Sequence, residues 1–339
     1  MLYHELPPFR PPTEAFSLLL RATRNCPWGR CEFCSMYGGN KLEIRPVEDV
    51  LRDIRSAREL ALQVRGWAEA MGCADQVGLV ARANGIPWLD EGAVTSAFIG
   101  DSDSIVMKTP DLVRIVGFLR EAFPRLKRVT SYARAKTLVK KSHSALKSLR
   151  EAGLTRLHVG LESGDDFLLR YVNKGASAEE MVIGGRKAME AGFELSEYVM
   201  AGLGGRERSE AHIRETARVL NRIDPHYVRV RTFDLGLAFD TTLYHKKERG
   251  EFTMQSKEEL ALEVRTLLRE LTVSSRFVVG DFASNFYLRG VDGKLPEDRD
   301  RMLASLETCL EWLRNDPRYR SKDPTSPLAP EGRAAPTLH

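Results

Sequence analysis

The chain has 339 residues, 51 of them basic and 47 acidic, for a formal net charge of +4, and 42% of it is hydrophobic. That length fills one large domain or two smaller ones, and charge this evenly balanced gives no electrostatic argument for nucleic-acid binding. No stretch approaches the roughly 18 apolar residues of a membrane span, and the start Met1-Leu2-Tyr3-His4-Glu5 lacks the basic and apolar regions of a signal peptide, so a cytoplasmic protein with reduced thiols is expected.

Pro7, Pro8, Pro11 and Pro12 make residues 1–14 a stiff extended lead-in. The apolar run 15–22 predicts a first strand, and three cysteines follow it at once, Cys26, Cys31 and Cys34. Residues 47–64 place Val47, Val50, Leu51, Ile54, Ala57, Leu60, Ala61 and Val64 at helical spacing. The stretch 65–92 is longer than a usual connection and reads as a lid or an extra helix. A second strand is expected at 94–99, stopping at Gly100. A helix at 111–123 follows, begun by Thr109-Pro110. Then come a strand at 126–132, a helix at 142–152 ending at Gly153, and a strand at 155–161. A helix at 178–191 ending at Gly192 leads to a strand at 193–200. The glycine-rich Ala201-Gly202-Leu203-Gly204-Gly205 precedes a helix at 210–223 and a sixth strand at 227–233. Leu-rich helices are expected at 257–272 and 298–314, and a disordered tail at 321–339.

Strands alternating with helices predict an α/β fold with a parallel sheet and right-handed crossovers. Cys26, Gly100, Glu162 and Gly202 all follow or close a strand, and the C-terminal ends of parallel strands are where such folds build their sites.

The cysteines form a C-x4-C-x2-C cluster, Cys26-Pro27-Trp28-Gly29-Arg30-Cys31-Glu32-Phe33-Cys34. Iron–sulfur clusters normally take four thiolates and structural zinc takes four closed ligands, so three ligands suggest a centre with one position open. Zinc completed by a distant histidine, the nearest downstream being His143, stays open as an alternative, as do unrelated thiols. The odd count of five cysteines argues against a disulfide framework. Cys73 and Cys309 are isolated and read as small buried hydrophobes.

Taken together these features resemble the radical S-adenosylmethionine (SAM) superfamily, in the branch of Elp3/MiaB-like and oxygen-independent coproporphyrinogen oxidase-like enzymes. The resemblance covers residues 15–235, and more loosely the chain through Leu313. The family's spacing is C-x3-C-x2-C. Here the first gap is one residue longer, while the ending Cys31-Glu32-Phe33-Cys34, a C-x-aromatic-C, is kept. The resemblance implies a partial (β/α)6 TIM-like barrel of parallel strands over 15–235. A helical extension over 236–320 would close it. It further implies a [4Fe–4S] cluster on Cys26, Cys31 and Cys34 beside Phe33, with SAM chelated to the open iron.

It also places the SAM contacts. Gly100, Asp101, Ser102 and Asp103 stand where the family's turn meets the SAM ammonium, although a plain Gly-Asp turn would look the same. Arg134 after Ser131-Tyr132-Ala133 would pair with the SAM carboxylate, or else be a solvated surface arginine. Glu162, in His158-Val159-Gly160-Leu161-Glu162-Ser163-Gly164 and ahead of Asn173-Lys174-Gly175, would meet the ribose, or else cap the next helix. Met200 and Gly202 fall in the turn expected to face adenine.

The implied activity is reductive cleavage of SAM to a 5′-deoxyadenosyl radical that takes hydrogen from a small-molecule substrate, with an electron donor such as flavodoxin or ferredoxin as partner. Modification of tRNA or a peptide is the alternative, and so is a non-catalytic zinc or electron-transfer protein. Nucleic acid stays open as a partner through the basic run Arg125, Lys127, Arg128, Lys136, Lys140 and Lys141, and a membrane does not. The stretches 232–244 and 281–286 are expected to close the open side of the barrel, with Asp234, Asp240 and Asn285 as polar candidates.

Overall fold

Each strand alternates, with one set of side chains feeding a helix-covered core and the other facing inward. Leu18, Leu20, Ala97, Ile99, Val129, Leu157, Val159, Leu195, Val199, Val228 and Val230 all join one large apolar cluster with the helices. Their neighbours Phe98, Tyr132, His158, Tyr198, Arg229 and Arg231 fall outside it. A period of two with one face apolar and the other polar is what a barrel wall requires.

The computed structural model describes residues 4–90, 93–237 (Leu237 by its backbone) and 240–315, and the tail expected at 321–339 lies outside them. The strands are β1 (Leu18–Arg21), β2 (Thr23–Arg24), β3 (Glu43–Ile44), β4 (Ser96–Gly100), β5 (Arg128–Ala133), β6 (Arg156–Glu162), β7 (Glu194–Ala201), β8 (Tyr227–Thr232), β9 (Arg276–Val278) and β10 (Gly293–Lys294). The helices are α1 (Val47–Ala70), α2 (Val77–Ala83), α3 (Thr109–Ala122), α4 (Ala135–Lys140), α5 (His143–Ala152), α6 (Asp166–Tyr171), α7 (Ala178–Glu190), α8 (Gly205–Ile223), α9 (Thr242–Glu248), α10 (Lys257–Glu270) and α11 (Arg299–Asn315).

The main sheet runs β1-β4-β5-β6-β7-β8-β9-β10, parallel from β1 to β9, while β2 and β3 form a separate hairpin. The six expected strands are therefore present as a parallel α/β sheet. Two more, β9 and the antiparallel β10, come from the segment read as helical and extend the sheet past β8. They are too short to show alternation in sequence. The stretch 65–92, whose residues 91–92 lie outside those described, contains an extra helix: α1 continues to Ala70, and α2 joins the core through Val77 and Ala81. Helix α8 begins at Gly205 rather than at 210, directly out of the glycine turn. Capping is conventional where it is strong: Ser177 and Glu180 form a capping box on α7, and Ser256 and Glu259 form one on α10.

Candidate active site

The cysteine loop leaves β1 and is tied down from two sides. Asp101, just after β4, is fully buried. Its Oδ2 accepts from Arg21 Nη2 at 2.7 Å and from the Asn25 amide at 3.0 Å, and its Oδ1 accepts from the Tyr37 hydroxyl at 3.2 Å. These partners bracket the loop before Cys26 and after Cys34. On the far side Trp28 Nε1 donates to the Asn173 carbonyl at 2.7 Å, and the Glu32 amide donates to the Val172 carbonyl at 2.9 Å. Lys246 pairs with the Glu32 carboxylate. Within the lengthened first cysteine gap, Gly29 has a φ of +59°, which suits glycine.

Cys26, Cys31 and Cys34 are free thiols, and all three line one cavity of about 610 Å³ at the C-terminal ends of the strands. Burial pushes the Cys31 thiol up to about 11 against the pull of Lys174, and burial raises Cys34 against the backbone amides of Met36 and Tyr37. Ligation of a metal there must release protons, because thiolates are the ligands. Among the described residues no three His, Cys, Asp or Glu converge to hold a single metal ion.

Glu162 enters the cavity from the end of β6, where the pairing with β7 slips between Gly160 and Glu162. Its φ of +63° is left-handed, a conformation that costs a non-glycine residue about 1–3 kcal/mol and recurs at functional sites. The bulge re-aims the carboxylate so that Lys174 Nζ lies 2.9 Å from Glu162 Oε1. Burial works against the Lys174 charge, but Glu162 and Cys31 together outweigh it and hold the ammonium's pKa above its usual value. Lys174 also sits 6.0 Å from the centre of the Phe33 ring. Arg134 donates from Nη2 to the Lys174 carbonyl at 3.1 Å and lies 5.5 Å from the Trp28 ring centre. Ser102 and Met200 complete the expected residues on the cavity wall, and the Ser102 hydroxyl donates to the Asn25 carbonyl at 3.0 Å.

Four expected contacts lie off that wall. A Cβ on Gly100 would stand 2.6 Å from Pro7, so its missing side chain makes room for the lead-in. Asp101 is committed to the cysteine loop. Asp103 is fully buried and accepts from the Thr137 hydroxyl at 2.5 Å, with burial pushing its carboxyl up to about 7. Gly202 donates its amide to Glu263 Oε1 at 2.8 Å, and a Cβ there would meet Leu260 of α10 at 2.6 Å.

Other cavity residues were not singled out in the sequence. The lead-in supplies Phe9 and Arg10, and the strands and loops supply Tyr132, Tyr198, Arg231 and Phe282, while Lys174 stood only inside a quoted motif. Alternation along β5, β7 and β8 was the available signal, since Tyr132, Tyr198 and Arg231 share the inward set. Of the polar candidates, Asp234 reaches the cavity. Asp240 is exposed beside His245, and Asn285 is a buried staple that donates to the Val230 and Val279 carbonyls at 2.6 and 2.8 Å. Three residues of the basic run are engaged within the fold. Arg128 turns inward to Glu14 at 3.1 Å, Lys136 pairs with Glu180 at 3.3 Å, and Lys141 donates to the Met107 carbonyl at 2.6 Å. Among the described residues no helix is long and apolar enough to cross a membrane.

Residues 99–220 match the radical SAM superfamily. No curated protein matches the chain by sequence. Among solved structures, coproporphyrinogen III oxidase (HemN) from Escherichia coli aligns with 79% of this chain at 19% identity and a TM-score of 0.50. Elp3 from Methanocaldococcus infernus aligns with 62% at 18% identity and a TM-score of 0.47. Methylornithine synthase (PylB) aligns with 87% of this chain and 72% of its own at 16% identity and a TM-score of 0.46. The alignment covers 54% of the HemN chain and 54% of the Elp3 chain, so the chain spans about half the length of each. At these identities the likeness to HemN concerns the fold alone.

Proposed function

We propose, from the match of residues 99–220 to the radical SAM superfamily of enzymes, that Cys26, Cys31 and Cys34 hold a [4Fe–4S] cluster whose open iron takes SAM. A single observation carries this reading: three free thiols on one anchored loop line the same cavity as Glu162, Arg134 and Met200. Such a cluster with SAM supplies one-electron cleavage of the sulfonium to methionine and a 5′-deoxyadenosyl radical. The protein's part is binding, orientation and exclusion of water. Arg134 presents a guanidinium fork to the SAM carboxylate. Glu162, aimed by its bulge and paired with Lys174, accepts from the ribose hydroxyls. Met200 and Phe33 give apolar contact to the adenine and to the cluster's surroundings. Ser102 offers a hydroxyl near the ammonium. Asp101 and Trp28 position the loop.

The substrate in this reading is a small molecule, taken up in a cavity of about 610 Å³ that is lined by Phe9 and Arg10 of the lead-in together with Phe282 and Asp234. An external reductant delivers the electron. The test is anaerobic reconstitution with iron and sulfide, then dithionite and SAM, with 5′-deoxyadenosine as the readout. Changing any one of the three cysteines to Ala should abolish both the absorbance near 400 nm expected of the cluster and the product. Stoichiometric zinc without iron in anaerobically purified protein would overturn the assignment.

A further inference from the structure

Five arginines belong to the inward set of the barrel strands, and four have carboxylate partners. Arg21 pairs with Asp101 at 2.7 Å, Arg128 with Glu14 at 3.1 Å, Arg156 with Glu194 at 2.7 Å, and Arg229 with Asp281. The fifth, Arg231 on β8, lines the cavity and makes no ion pair or hydrogen bond among the described residues. Its Cζ lies 5.8 Å from the centre of the Phe282 ring. The cavity's own carboxylates are engaged elsewhere: Glu162 is held by Lys174 at 2.9 Å, and Asp234 Oδ1 accepts from the Gly236 amide at 2.8 Å. Arg231 is half-buried, and a guanidinium withdrawn from bulk water gains most from an oxyanion that fits its fork. Register places Arg231 beside Met200, four sheet positions from β4 and five from β1, which carries the cysteine loop. Arg134, on the cysteine side, already serves the SAM carboxylate in the reading above.

We propose that Arg231 anchors an oxyanion group, carboxylate or phosphate, of a small substrate whose apolar body lies along Phe282 and Phe233. Both rings line the same cavity. This rests on the assignment of SAM to the cysteine side. Arg10 of the lead-in borders the cavity as well and adds a second positive charge at its rim. A neutral substrate would leave Arg231 unpaired in the closed complex, which costs more than the same charge facing water.

The test uses the cluster-loaded protein with SAM and three probes that share a phenyl ring: 3-phenylpropionate, phenyl phosphate and the neutral 3-phenylpropanamide. Binding is followed by calorimetric titration in the parent, Arg231→Gln and Arg231→Lys. The parent should bind one of the anionic probes better than the amide, and which anion binds tells carboxylate from phosphate. Arg231→Gln should lose that anion about ten- to a hundredfold, leaving amide binding, cluster absorbance and SAM affinity unchanged, and Arg231→Lys should restore part of it. Equal anion affinity in parent and Arg231→Gln overturns the proposal, as does failure of the parent to prefer either anion over the amide. Loss of SAM affinity in Arg231→Gln with anion binding unchanged also overturns it and assigns the residue to the cofactor. Protein that takes up no iron contradicts the cofactor reading instead, and the same titrations on it still decide the role of Arg231.

Discussion

A Cβ on Gly175 would stand 2.4 Å from Trp28 Cε2, inside the volume of the indole ring. Trp28 belongs to the lengthened gap between the first two cysteines. Gly175 ends the turn that carries Lys174. The contact therefore ties the cluster loop to the cavity's ammonium. Gly175→Ala, at a φ of +72°, should destabilise the fold by about 1–3 kcal/mol and lower the iron retained after reconstitution. Trp28→Leu in the same background should recover part of the stability, because it returns the missing room. Urea midpoints and iron content of the two singles and the double measure the coupling.

Asp101 should matter more to the loop than to the cofactor. Removing one partner of a buried ion pair costs about 3–5 kcal/mol, and less where the remaining charge keeps another partner. Arg21 keeps Glu5, at 3.1 Å. Asp101→Ala is expected to lower unfolding stability by about 2 kcal/mol on that argument and to release the Tyr37 hydroxyl. Protein that still reconstitutes should bind SAM with parental affinity. A variant of parental stability that loses SAM would assign Asp101 to the cofactor instead.

Glu162→Gln keeps the shape of the side chain and removes the charge that meets Lys174 and, in the proposed complex, the ribose. SAM affinity should fall about ten- to a hundredfold, the worth of one charged hydrogen bond. The cluster's absorbance should not change. Equal SAM affinity in parent and variant, by equilibrium dialysis, would make Glu162 a structural partner of Lys174.

Acid should weaken the fold through the barrel floor. His158 is fully buried between Tyr132 and Tyr198, and its Nε2 lies 3.6 Å from Glu14 Oε1. Burial pulls the imidazole down to about 4, so it is neutral at pH 7. Burial alone would raise Glu14, but His158, Arg128 and Ser17 together hold it down to about 2. Both groups bind fewer protons folded than unfolded, so both give stability that is lost on acidification. His158 acts as pH falls from about 6.5 towards 4, and Glu14 as it falls from about 4.5 towards 2. The histidine's share is on the order of 3 kcal/mol. His158→Gln should flatten the fall in unfolding free energy between pH 6.5 and 4, and an unchanged slope would place the titrating group elsewhere.

The six long strands and the cysteine loop were legible because each strand carries a continuous apolar register and the cysteines end the first of them. Residues whose role depends on long-range approach were not. Gly100 and Gly202 read as places for a ligand to come close, and the approaching atoms belong to Pro7 and Leu260. Asp101 stood in the turn expected to meet the SAM ammonium, and its partners lie 64 to 80 residues earlier, a pairing that no local pattern encodes. Arg231 was one arginine among many, and only the pairing of Arg21, Arg128, Arg156 and Arg229 sets it apart. Strands β9 and β10, of three and two residues, are too short to show a period.

The most direct measurement is the yield of 5′-deoxyadenosine from SAM when the anaerobically reconstituted protein is reduced with dithionite. The account predicts product from the parent and none from Cys26→Ala, Cys31→Ala or Cys34→Ala. Product that persists without any one of these thiols, or a parent with a full complement of iron that never cleaves SAM, would contradict it.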